Sequence, residues 1–148
     1  MLLPPFTDRG DLPLGVHPAP MREVLARFGG GRARRKAVGR RLERIYEVAG
    51  ASGHVARFVV FGSFVTDKPE PNDVDVFRLM EDSFDASRLT GEGRLLFDHA
   101  AAQAHFGGSV FWLRRLAALE GEQAAVEYWQ VTRDGRRRGV VEIDLGAS

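Results

Sequence analysis

Two carboxylates stand two residues apart in Asp73-Val74-Asp75-Val76, downstream of the run Phe58-Val59-Val60-Phe61-Gly62-Ser63. In an extended chain successive side chains alternate between faces, so the two acids point the same way and the valines to the other side. Like charges held that close repel unless a proton or a cation lies between them, and paired hard oxygens suit a divalent ion such as Mg2+. Gly62 lets a ligand approach the backbone, and Ser63 adds a hydroxyl and an exposed amide, a combination suited to a phosphate oxygen. Thr66 and Lys68 follow in the same turn as secondary candidates for phosphate contact. Their plainer roles are turn capping and a solvated lysine.

These residues need rigid elements on either side. Val55 to Phe61 is nearly continuously apolar, as a central strand requires, and Asp73 to Leu79 makes a second strand. Upstream, Val38, Leu42, Ile45, Val48 and Ala49 recur at helical spacing over Ala33 to Ala49, with arginines on the other faces. A shorter helix over Met21 to Phe28 ends at Gly29-Gly30-Gly31. Before it lies a proline-rich arm whose Leu12, Leu14 and Val16 alternate with Pro13 and Gly15, the pattern of an extended segment docked through every second side chain. Downstream, the expectations are one helix over Leu89 to Phe106, a strand over Ser109 to Leu113, and a helical run from Arg114 to about Ala124. Val126 to Thr132 and Gly139 to Leu145, joined through Arg133-Asp134-Gly135, read as a C-terminal β-hairpin, Asp-Gly being a strong turn signal. The order predicts an α+β fold, a mixed β-sheet flanked by helices. Residues 1–31 form the arm and short helix, and 32–148 the main domain.

At 148 residues the chain is of single-domain size. Its formal net charge is +1, so any electrostatic function is local. The absence of cysteine excludes disulfides, thiolate chemistry and Cys-ligated zinc. Met1-Leu2-Leu3 is cut short by Pro4-Pro5 without a basic flank, and no apolar run reaches membrane-spanning length, so the expectation is a soluble, cytoplasmic protein with no membrane partner.

The two-part pattern Phe61-Gly62-Ser63 and Asp73-Val74-Asp75-Val76 resembles the nucleotidyltransferase superfamily, the group of polymerase-β-like and minimal nucleotidyltransferases. The stretch from Gly62 to Asp75, the arm Leu12-Pro13-Leu14-Gly15-Val16-His17-Pro18 and the ending Gly139 to Leu145 are similar to a bacterial group of nucleotidyltransferase-like proteins. The resemblance implies a nucleotidyltransferase-like fold and an ancestral transfer of a nucleoside monophosphate from a nucleoside triphosphate to a hydroxyl acceptor. It places Mg2+ on Asp73 and Asp75, in a two-metal site if active, and the β,γ-phosphates at Gly62 and Ser63.

The superfamily generally uses a third carboxylate on a later strand. The natural place here is the strand Ser109 to Leu113, which carries no acid. Glu142 and Asp144 are the alternatives, with Glu127 a weaker one. An active transferase and a degenerate, nucleotide-binding module acting as an antitoxin or regulatory protein partner therefore both stand.

Other charged and aromatic residues have plainer readings. The run Arg32, Arg34, Arg35, Lys36, Arg40, Arg41 and Arg44 is a candidate surface for nucleic acid, but such a run on an amphipathic helix is more often a solvated face. Arg136-Arg137-Arg138 reads as a solvated loop tip, and Phe111, Trp112 and Trp129 as core. His17, His54, His99 and His105 show no metal-ligand spacing.

Overall fold

The structure, a computed structural model, describes residues 3–146. The ends of both expected units, residues 1–2 and 147–148, lie outside the described residues. In chain order the elements are β1 (Val16–Ala19), α1 (Met21–Phe28), α2 (Ala33–Ala51), β2 (Val55–Phe61), β3 (Val74–Met80), α3 (Gly91–Leu95), α4 (His99–Phe106), β4 (Gly108–Arg114), α5 (Glu122–Glu127) and β5 (Val140–Ile143). The strands form one mixed five-stranded sheet in the order β1-β5-β2-β3-β4. β2 pairs antiparallel with β3 and β5, while β1 runs parallel to β5 and β4 parallel to β3. The fold is thus α+β, with a mixed sheet and helices on it.

The alternation along β2 and β3 divides the core in two. Phe58 and Val60 of β2 and Val74 and Val76 of β3 pack with Val24, Phe28, Val38, Leu42 and Ile45 of α1 and α2. On the opposite face Val59, Phe77, Leu79 and Val140 form a smaller cluster with Val126, Phe61, Phe111 and Trp129. This second face carries the acids, because Asp75 shares its side of β3 with Phe77.

Four expectations are corrected. The helix over Leu89 to Phe106 is broken into α3 and α4, where the Asp98 carboxylate accepts the Ala101 N–H at 2.9 Å and starts a new helix. The run from Arg114 begins as the end of β4 and one 3-10 turn, and the helix comes only at Glu122–Glu127. The first half of the expected hairpin is that helix and a 3-10 turn over Tyr128–Gln130. Val126 and Trp129, three residues apart, use helical spacing to reach the sheet, and only a Val131–Arg137 bridge remains of hairpin pairing. In the arm, Leu12 is buried but Leu14 is 54% exposed, so docking through every second side chain fails there. The arm instead supplies an edge strand, β1, from Val16 onward. No helix among the described residues is long and apolar enough to cross a membrane.

Candidate functional site

β2 ends at Phe61, and the chain turns at Gly62 with φ 82° and ψ −166°, a conformation open essentially to glycine alone. The space is also taken, since a Cβ on Gly62 would lie 1.9 Å from Asp75 Oδ2. Glycine is required twice over here: by the backbone and by the carboxylate against it. Ser63–Val65 form one 3-10 turn, anchored by the buried side chains of Phe64 and Val65.

Arg35 holds this turn from behind. Expected on a solvated face, it is buried and donates to the carbonyls of Phe28, Phe64, Thr66 and Lys68 at 2.5–3.1 Å. Two further arginines of α2 fix the approach to the acids: Arg34 donates to Asn72 Oδ1 and Arg41 to the Asn72 carbonyl, both at 3.2 Å. Three members of the basic run are therefore engaged in the loop between Gly62 and Asp73.

Asp73 precedes β3 and Asp75 lies within it, opposite Phe61 of β2 and Ser109 of β4. The Ser109 hydroxyl donates to Asp73 Oδ2 at 3.2 Å. Ser109 thus occupies the neighbouring-strand place where a third acid is expected. Burial, and then the neighbouring Asp73 charge, push the Asp75 carboxyl up to about 6, while Arg138, Arg133 and Ser109 pull the other way.

Both aspartates open into a cleft of about 880 Å3, together with Gly62, Ser63 and Ser109. Phe61, Phe111, Tyr128 and Trp129 give it an aromatic side, with Phe61 and Trp129 stacked at 4.6 Å between ring centroids. Arg133, Arg136 and Arg138 bring positive charge to it.

Five sequence-predicted residues do not line the cleft. Glu142 is held by Arg57 in a forked ion pair, at 2.8 and 2.6 Å, and faces Val59 rather than the acid end of β2. Asp144 follows β5 at the opposite end of the sheet and accepts the Gly146 N–H at 3.0 Å. The Thr66 hydroxyl caps the turn by donating to the Ser63 carbonyl at 2.7 Å, and Lys68 is exposed. Glu127 lies on α5, where it accepts from Gln123. Conversely, Arg136 and Arg138, expected at a solvated loop tip, line the cleft. The signal that finds them is their two-residue spacing beyond a tight turn, which puts both on one side of an extended segment.

Among the described residues no three acidic, histidine or cysteine side chains gather to hold a metal. What is present is a two-carboxylate, one-hydroxyl oxygen set beside a glycine turn. Mg2+ is commonly bound by one or two carboxylates, its remaining positions going to water and substrate phosphates, so the donor chemistry fits one such ion shared with a ligand.

The profile of a family of unknown function, DUF6932, matches residues 4–144. No curated protein and no solved structure matches the chain.

Proposed function

We propose that this chain, which belongs to that family of unknown function, is a nucleotidyltransferase-like protein that binds a nucleoside triphosphate with Mg2+. The observation that carries the reading is the convergence of the two halves of the motif: Asp75 Oδ2 lies against the positive-φ Gly62 turn, with Asp73 beside it in an open cleft. Asp73 and Asp75 would hold the ion, and Gly62 and Ser63 the phosphates. Bound there, Mg2+ would neutralise phosphate charge and polarise the phosphoryl oxygens. The chain's own contribution is to fix the turn through Arg35 and the acids through the sheet, and to supply aromatic surface to the rest of the ligand.

Ser109 favours the binding-only form of this reading over efficient transfer. A hydroxyl neither balances a second divalent charge nor accepts a proton at neutral pH as a carboxylate does. Glu142, tied to Arg57, and Asp144, at the far end of β5, leave that role unfilled. The protein then acts as a nucleotide-responsive module, for which a regulatory or antitoxin role toward a protein partner is the matching biology.

Labelling with radioactive nucleotide separates the two forms. Wild type is expected to transfer little label to any acceptor while binding Mg2+·NTP, and Ser109→Asp to bind Mg2+ more tightly. Robust labelling by wild type that Asp75→Asn abolishes would make it an active transferase and sink the binding-only form.

A further inference from the structure

Three arginines share the cleft with the two aspartates without pairing with them. Among the described residues the ion pairs of Arg136 and Arg138 go to Asp11 and Asp134, Arg133 makes none, and none joins these arginines to Asp73 or Asp75. A network serving only to hold the fold would close such opposite charges onto each other. Here they remain apart, with the cleft open to both.

The backbone presents the arginines deliberately. Thr132 N–H donates to Arg136 O at 2.8 Å and Arg138 N–H to Gln130 O at 2.9 Å, so the segment after the Asp134-Gly135 turn is extended. Alternation sends Arg136 and Arg138 to the cleft and leaves the exposed Arg137 out of it. Asp11 of the arm, itself buried and bridged through its backbone to Thr66, lies 3.7 Å from Arg136 Nη1 and 3.6 Å from Arg138 Nη1. Those separations exceed hydrogen-bond length, so the guanidinium donors are aimed by Asp11 yet remain available.

A ligand that fills this cleft must present positive charge to the aspartates and negative charge to the arginines. A polycation offers one sign only, whereas a metal-bound polyphosphate offers both in that order. We infer that Arg133, Arg136 and Arg138 form a polyphosphate-binding wall, oriented by the N-terminal arm through Asp11. The inference rests on the nucleotide reading for the identity of the whole ligand, but the wall itself binds phosphate.

The test is calorimetric titration of Mg2+·tripolyphosphate at low ionic strength, beside Mg2+·ATP, into the full chain and three variants. Arg133→Gln and Arg138→Gln are each expected to weaken tripolyphosphate about five- to tenfold, and Arg137→Gln, with the same charge change off the cleft, by less than about twofold. If Arg138→Gln does not fold, Arg133→Gln at its exposed position carries the comparison. Equal weakening by Arg137→Gln would reduce the wall to a general positive field and overturn it. So would failure of wild type to bind tripolyphosphate, even with Mg2+·ATP bound. Tripolyphosphate binding without Mg2+·ATP binding would keep the wall and remove the nucleotide reading.

Discussion

Asp75→Asn is expected to stabilise the metal-free protein at neutral pH. A carboxyl held at about 6 in the fold but at its ordinary 3.8 when unfolded binds its proton more tightly in the native state. Its contribution is therefore most favourable below 3.8, is lost as pH rises through about 6, and leaves the ionised native state about 3 kcal/mol worse off above that. The cost arises because the charge is buried beside Asp73 with no cation between them. Asparagine keeps the shape without the charge, so the variant should recover about 2–3 kcal/mol at pH 7.5, on the order of 5–10 °C in melting temperature for a chain of this size. Below about pH 3.8 the two proteins should converge, since Asp75 is then mostly neutral in both the folded and the unfolded state. Urea and thermal unfolding in EDTA at several pH values measure this. A variant less stable than wild type at pH 7.5, or a difference that does not change with pH, would refute the account of Asp75 as a strained charge awaiting a cation.

Gly62→Ala should lose about 1–3 kcal/mol, because alanine strains a positive-φ turn and its methyl meets the Asp75 carboxylate; combined with Asp75→Ala, which removes that carboxylate, the effects should be non-additive in urea unfolding. Arg35→Met leaves four carbonyls without their donor and should cost roughly 3 kcal/mol or more, with Arg35→Lys restoring only part since one ammonium cannot fork to four acceptors. Arg78→Met should be neutral or stabilising. The Arg78 guanidinium is fully buried over the Phe97 ring; among the described residues Nε and Nη1 have no hydrogen-bond partner, and Nη2 donates to the Leu96 carbonyl. Burial lowers it to about 9, so the same unfolding assay should show wild type gaining on the variant as pH rises above that value.

The parts of the molecule legible in the sequence are those governed by neighbours in the chain. β2 and β3 follow from apolar runs that a buried strand needs, and the Gly62 turn and the acids are placed by those strands. Val126 to Thr132 misleads because its apolar residues satisfy both a two-residue and a helical period, and the docking of Val126 and Trp129 on the sheet decides between them. The break at Asp98 is written as a cap but hidden inside an otherwise helical pattern. What governs the cleft at a distance is not legible at all. Glu142 is removed from candidacy by Arg57, 85 residues away, and Arg136 and Arg138 face inward where Asp11 of the arm meets them. Such pairings depend on register across the sheet, which no local pattern carries.

The central claim is tested most directly by titrating ATP and GTP calorimetrically into wild type and Asp75→Asn, in Mg2+ and in EDTA. Saturable binding by wild type that requires Mg2+ and weakens by about a hundredfold in Asp75→Asn is the predicted result. No binding of either nucleotide by wild type or by Ser109→Asp in Mg2+, with both folded, would contradict it.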